Sequence, residues 1–228
     1  MEWTFSWRKD WRAAISRPLH SPRAPLPVKR VGCVSDETEK MRHSTFEYSS
    51  TTYWLDFALQ GAAVLALSAV LLVAGPRSES LRLAAFLLLG LASWTAIEYG
   101  MHRFLFHGVQ PFRRWHEEHH RRPAALIGTP TLLSTVAIGG LVFLPVLWLE
   151  DMWTSCSLTL GLLIGYFIYG IVHHATHHWR CRSAWLRNCR RRHAHHHRTG
   201  STGNFGVTSA FWDVVFGTSN ARPVAPPF

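Results

Sequence analysis

Lysine is nearly missing from this chain of 228 residues: there are three, none beyond Lys40, so arginine carries almost all of the positive charge. Cysteine is sparse as well. Cys33, Cys156, Cys181 and Cys189 form no CxxC pair, which removes the usual paired-thiol patterns of zinc and redox sites, and the four read as free thiols. Cys181 and Cys189 lie close to histidines and so remain open as extra metal ligands. No uninterrupted apolar core stands before Tyr53, so a secretory signal is not expected. Beyond the histidine motifs described below, no internal repeat is visible.

A hydrophobic content of 47% with a mean hydropathy near zero looks globular until the distribution is read. The apolar residues come in four blocks: Tyr53 to Gly75, Leu81 to Tyr99, Leu132 to Leu149, and Leu158 to Val172. Each approaches or exceeds the ~20 residues that cross a bilayer as a helix, the last only if it starts earlier, near Thr154. GAAVLALSAVLLVAG is too apolar all round for a soluble bundle. Four membrane helices are therefore expected, with few ionisable groups inside them.

Charge orients the chain. Of the 24 basic residues, only Arg77 and Arg82 fall in the two short connections on one side, and Glu150 and Asp151 mark the other such connection. By the positive-inside rule both termini face the cytoplasm. The formal charge of +10 fits a face resting on anionic headgroups, through Arg113, Arg114, Arg121, Arg122 and the Arg190 to Arg192 run, better than it fits nucleic acid. The arginine-for-lysine bias suggests a GC-rich bacterial genome and hence an inner membrane; an endoplasmic reticulum membrane gives the same topology.

Thirteen of the fifteen histidines lie between His102 and His197, in the clusters HRFLFH, HEEHH, HHATHH and HAHHH. Neutral imidazole is a ligand for iron, zinc, copper and nickel, and metal binding is the economical reason for such density. His116, His119 and His120 are related as i, i+3 and i+4, one face of a helix, and His193, His196 and His197 repeat the pattern. His173 and His177 share a face. His102 and His107, five apart, are expected to straddle a helix end. These ten exceed what one ion takes, so two metals are implied. Spacing leaves His174 and His178 equivalent to His173 and His177, and leaves His195 undecided. Two crossings separate HEEHH from HHATHH, so all the clusters emerge on one face of the membrane.

The first forty residues carry prolines, all the lysines and no apolar run, and read as a disordered arm. Because Met41 opens the segment leading into the first membrane helix, residues 1–40 are expected to be dispensable.

WTAIEYGMHRFLFH, HEEHH, YGIVHHATHH and RRHAHHHRTGSTGNFGVTSAFWDVVFGT together resemble the fatty acid hydroxylase and sterol desaturase superfamily, and most nearly its fatty acid 2-hydroxylases. The resemblance runs from about Trp94 to Thr218. It implies an all-α integral membrane protein with four transmembrane helices and a cytoplasmic helical cap holding a dimetal site. The chain is accordingly expected to comprise a basic, disordered arm over 1–48, a membrane-embedded hydroxylase domain over 49–220 and a tail over 221–228. In that family ten histidines hold two metals. Matching its tyrosine-led third box to Tyr169 favours His173 and His177, and the last HxxHH favours His193, His196 and His197 over His195. The implied ligand set is His102, His107, His116, His119, His120, His173, His177, His193, His196 and His197.

The activity implied is hydroxylation of a lipid with dioxygen, most nearly at C2 of a fatty acyl chain. Iron is expected in the working enzyme, zinc is possible after purification, and a separate electron donor is needed because the segment before Tyr53 is too short for a haem domain. One position departs from the 2-hydroxylase pattern: the acidic residue that follows the tyrosine is replaced by Gly170. Glu98, four before His102, and Glu117, Glu118 and Asp213 are candidates to accept the ring N–H of a ligand histidine. Trp94, Tyr99 and Phe104 stand where an acyl path could run, but aromatic residues at such depth are more often interfacial anchors or packing, so they are not assigned as substrate contacts. The competing readings are a carotenoid ring hydroxylase or sterol oxidase of the same superfamily and, outside enzymes, a histidine-rich metal transporter.

Overall fold

The computed structural model describes residues 47–180, 182–198 and 203–219. The disordered arm expected over 1–48, apart from Glu47 and Tyr48, lies outside these residues, as do the tail expected over 221–228 and Cys33 and Cys181. All regular structure in the described residues is helical.

Helix α1 (Ser50–Ala74) begins where Ser49 accepts a hydrogen bond from Thr52 N at 3.1 Å, satisfying one of the free donors of its first turn. Helix α2 (Ser80–Gly100) follows a single 3-10 turn (Arg77–Glu79) and continues into a π-helical turn (Met101–Phe106). Short α3 (Phe112–Arg121) carries HEEHH. The third span is α4 (Thr131–Ile138), a π turn (Gly139–Phe143) and α5 (Leu144–Leu149). Then come α6 (Met152–His178), α7 (Ala184–His196) and α8 (Phe211–Val215).

Four helical segments are long and apolar enough to cross a membrane: Ser50–Ala74, Arg77–Phe106, Thr131–Leu149 and Met152–His178. The last is longer than the apolar block alone suggests. Asp151 starts it by accepting from Trp153 N at 2.8 Å and Thr154 N at 3.1 Å, and the small polar side chains of Thr154 to Ser157 are buried inside the bundle. At its other end the helix runs on through His178, so the third histidine cluster is helical. Asp151 also pairs with Arg82 at 2.8 Å, tying the starts of α2 and α6 together.

Helix α6 is the central element, with fourteen buried residues, whereas α1, α4 and α5 bury none. The outer helices present Leu65, Leu72, Val73, Leu132 and Trp148, each more than 70% exposed, which is the surface expected of helices solvated by lipid. Between α2 and α6 no driving force of that kind acts, and close packing replaces it. A Cβ on Gly90 would lie 2.2 Å from Leu158 O, and one on Gly161 would lie 2.0 Å from Leu87 O. The two glycines let the backbones touch, which holds the ends of α2 and α6 in register and so fixes the histidines they carry.

Candidate metal centre

The ends of α2 and α6 bring histidines to one end of the bundle, and α3 and α7 pack over them. His102 lies inside the helix and His107 at its C-cap, so the pair straddles a helix end as the spacing suggested, and that end is π-helical. The helix continues through a π turn over Met101–Phe106, and its wider winding brings residues five apart nearly into line. Their rings stack with centroids 5.4 Å apart.

Nine of the ten expected histidines fall into a group of five and a group of four, and His197 lies beside the second. In one, His102 Nε2 lies 3.0 Å from His116 Nε2, His120 Nε2 lies 2.9 Å from His116 Nε2 and 3.0 Å from His196 Nε2, and His107 Nε2 lies 3.1 Å from His196 Nε2. In the other, His173 Nε2 is 3.0 Å from His119 Nε2, while His193 Nε2 is 2.8 Å from His177 Nε2 and 3.1 Å from His197 Nε2. His120 and His197 stack at 4.3 Å across the boundary, so the groups are adjacent. His102, His193 and His196 are 2% exposed or less.

This donor set suits cations. His102 Nδ1 donates to Phe205 O at 2.5 Å and His196 Nδ1 to Gly203 O at 3.0 Å, so in each neutral ring the proton is on Nδ1 and the Nε2 lone pair points inward. Lone pairs converging at such distances repel unless a positive charge lies among them. Two imidazole nitrogens about 2.1 Å from one ion and at right angles to each other stand roughly 3.0 Å apart, against about 3.4 Å in a tetrahedron. The observed 2.8 to 3.1 Å matches the former. Protonation is disfavoured too. Burial, followed by the neighbouring imidazoles and offset only in part by backbone hydrogen bonds, brings His120, His196 and His197 down to about 3 and holds His116, His119 and His193 well below the usual histidine range. The rings are therefore in the neutral form that binds metal.

The carbonyls that orient His102 and His196 belong to a loop over 203–208 that sequence reasoning did not single out. Two buried carboxylates clamp it. Asp213 accepts from Phe205 N at 2.9 Å, Gly206 N at 2.8 Å and Thr218 Oγ1 at 2.8 Å. Glu98 accepts from Val207 N at 2.6 Å and Thr208 N at 2.9 Å on one oxygen, and from Thr208 Oγ1 at 2.5 Å on the other. Neither accepts from a histidine. The expectation that Glu98 or Asp213 would hold a ligand ring directly is corrected: each holds the backbone that holds the ring. Glu117 pairs with Arg113, and Glu118 with Arg121 and Arg122, so neither takes that part. The loop turns sharply through Asn204, at φ 58°, which is buried and donates its N–H to Thr218 O at 2.9 Å. Trp212 Nε1 donates to Thr95 at 3.0 Å, and Tyr99 bonds Thr218 at 3.0 Å and stacks on Phe216, so the closing segment is anchored to α2.

Among the described residues His174, His178 and His195 stand outside the groups. His174 Nδ1 meets the Tyr53 hydroxyl at 3.1 Å, His178 stacks on His174 at 4.4 Å, and His195 is half-buried on α7. Cys189 is fully buried beside Thr208 O and Arg192, apart from both groups, so it offers no metal ligand here.

A cavity of about 100 Å³ opens beside both groups, reaching His116, His119 and His173 on one side and Tyr48, Tyr53 and Asp56 on the other. It shares Phe106, Phe112, Thr129, Tyr166 and Tyr169 with an apolar cavity of about 400 Å³ that runs down between α2, α4 and α6 past Trp94, Leu133 and Leu162. Phe104 is 63% exposed and Tyr99 is buried against the closing segment, and only Trp94 of the three aromatic candidates lines this space. Gly170 lines the smaller cavity, and the Phe57 ring lies 3.3 Å from where its Cβ would be.

Comparison with known proteins agrees with this arrangement. The fatty acid hydroxylase family model matches residues 87–218. A dihydroceramide fatty acyl 2-hydroxylase of Arabidopsis thaliana is 32% identical over 145 residues, covering 57% of this chain and 58% of that protein. A ceramide very long chain fatty acid hydroxylase of Schizosaccharomyces pombe is 32% identical over 146 residues, covering 58% and 42%. The fatty acid 2-hydroxylase of Homo sapiens is 28% identical over 185 residues, covering 75% and 48%. The chain thus spans between about two fifths and three fifths of the length of these relatives. The solved hydroxylase domain of scs7p superposes with a TM-score of 0.64 at 28% identity, covering 78% of this chain and 69% of that one. With its model matched over more than half of the sequence, and with the histidine groups inside the matched segment, the chain belongs to the fatty acid hydroxylase family.

Proposed function

We propose that this protein is a membrane lipid hydroxylase that inserts one oxygen atom of dioxygen at C2 of a fatty acyl chain. One observation carries the reading: histidine groups of five and four, with His197 beside the second, meet a small cavity at His116, His119 and His173, and that cavity continues into an apolar one inside the membrane bundle. The relatives named as fatty acyl 2-hydroxylases support the choice of carbon, and those named for ceramide or dihydroceramide support an N-acyl lipid as substrate.

His102, His107, His116, His120 and His196 would hold one ion, and His119, His173, His177, His193 and His197 the other. Imidazole sets suit iron, and bound there two irons would supply the activation of dioxygen that amino-acid side chains cannot. One oxygen atom enters the C–H bond; the other leaves as water, which consumes two electrons and two protons from a separate donor protein. The chain's own part is to hold and exclude. The 203–208 loop fixes the tautomers of His102 and His196, the buried rings stay unprotonated, and the apolar cavity takes the acyl tail out of water so that the carbon beside the acyl carbonyl lies at the histidines. The arginine-rich end of the bundle that carries the site faces the cytoplasm, by the positive-inside rule, in a bacterial inner membrane or the endoplasmic reticulum. Both groups lie at this end of the spans, whereas transporters bind their ions near the bilayer midplane, so transport is the weaker reading.

Lipid profiling of cells expressing the wild type and His116→Ala tests the proposal. A hydroxylated acyl lipid present only with the wild type is the expected result. Unchanged lipids despite bound iron would remove the activity from this chain.

A further inference from the structure

Helix α1 is apolar and lipid-facing except for one stripe. Tyr53, Asp56, Phe57 and Gln60 recur at i, i+3, i+4 and i+7, one face of the helix, and all four line the small cavity together with His116, His119 and His173. Trp54, Leu55 and Leu59 on the other faces are about half exposed. Asp56 is six residues into the span, about 9 Å along the helix axis. A carboxylate at that depth is costly and marks function unless something else explains it.

Structural needs explain half of it. Asp56 Oδ1 accepts from Thr131 N at 3.1 Å, fastening α1 to the start of the third span, a task any short polar acceptor performs. Oδ2 accepts only from Gln60 Nε2, at 3.2 Å, and among the described residues no lysine or arginine pairs with the charge. Gln60 Nε2 also donates to Thr131 Oγ1 at 3.3 Å, which occupies both of its protons and leaves its carbonyl oxygen as an acceptor. Phe57 fills the space across from Gly170, so α1 closes the cavity there. The stripe therefore offers acceptors and a negative charge in the cavity that His116, His119 and His173 also line, with the tail cavity alongside.

We propose that Asp56 and Gln60 read the polar end of the substrate, selecting an acyl lipid whose head is uncharged and donates N–H or O–H hydrogen bonds, and turning away acyl anions. This rests on the acyl hydroxylase reading. C2 is one bond from the acyl carbonyl, so a head held at α1 places that carbon next to the histidines. A carboxylate or phosphate head brought to the same place meets Asp56 with like charge and no counter-ion.

The full-length chain, purified in detergent, is given two labelled probes of equal acyl length, N-palmitoyl-sphinganine and palmitate. Equilibrium binding to the metal-free protein and hydroxylation by the iron-loaded protein are measured separately. The wild type is expected to prefer the amide by about tenfold or more, and Asp56→Asn, which keeps an oxygen for Thr131 N, to lose about tenfold of that preference by gaining palmitate affinity. A wild type that prefers palmitate, or an Asp56→Asn protein with the same preference within about twofold, overturns the proposal. If Asp56→Asn does not fold, Gln60→Glu decides: a second negative charge is expected to weaken palmitate about tenfold more than the amide, and equal effects overturn the proposal. Binding selectivity that follows Asp56 without any hydroxylated product would instead sink the hydroxylase reading alone, and hydroxylation with selectivity indifferent to Asp56 would sink this one alone.

Discussion

Asp213→Asn and Glu98→Gln make the same chemical change at two carboxylates that clamp one loop, yet the structure predicts unequal outcomes. Asp213 receives Phe205 N on one oxygen and Gly206 N on the other. An asparagine has one oxygen, so whichever way its amide turns, an NH2 group faces a buried backbone N–H. Leaving one such donor unpaired costs roughly 1–3 kcal/mol, and losing charge assistance in the remaining bonds adds about 1 kcal/mol. Glu98 takes both Val207 N and Thr208 N on a single oxygen, while its other oxygen faces the Thr208 hydroxyl, which can turn to accept from an amide. Glu98→Gln therefore keeps every partner and costs less than about 1 kcal/mol, since relief from burying a charge offsets the weaker bonds. Because the loop holds His102 and His196, Asp213→Asn should also weaken metal binding by about 10- to 100-fold and Glu98→Gln much less. Thermal unfolding in detergent gives the stabilities, and iron retained against a chelator gives the affinities. Equal losses in the two variants, or a silent Asp213→Asn, would refute the assignment of the loop as the support of the histidines.

Substituting alanine at His120 or His197 should abolish a full complement of two ions per chain, whereas His195→Ala should leave it intact; metal analysis of purified protein distinguishes these. The metal-free chain should lose stability in acid. Its half-buried His120 and His197 and its buried His196 are held near 3, below the ~6.5 of the unfolded chain, so the unfolded state takes up protons first. Stability is complete above about pH 6.5 and drains away as pH falls toward 3, a trend that melting curves across this range would show; a flat profile contradicts the burial. Gly161→Ala, whose Cβ meets Leu87 O at 2.0 Å, should destabilise by roughly 1–3 kcal/mol, while Gly140→Ala, with nothing within 4 Å, should be nearly neutral in the same thermal assay.

What could be read from sequence was what local periodicity encodes. The membrane spans followed from apolar length, and the i, i+3, i+4 histidines of α3 and α7 followed from helical geometry. The five-residue spacing of His102 and His107 marks a helix end but not its π winding, and α6 runs beyond its apolar block because Asp151 caps it and its polar ends are buried by neighbours. Glu98 carries a legible signal, a carboxylate four residues before His102, but it bonds backbone rather than a ring. Its true partners, Val207 and Thr208, are more than a hundred residues away, and no spacing rule reaches that far. The carbonyls of Gly203 and Phe205 left no signal at all, since every residue has one. Asp56 did carry a signal, a lone acid in an apolar run, and became meaningful only when α1 was seen to wall the cavity.

The most direct measurement is hydroxylation of an N-acyl lipid by the purified, iron-loaded chain with a chemical or protein reductant under isotopically labelled dioxygen, followed by mass spectrometry of the acyl chain. One labelled oxygen at C2, absent from the His116→Ala protein, is the predicted result. A product carrying no labelled oxygen, an oxygen at another carbon, or no product from protein shown to hold two irons would contradict it.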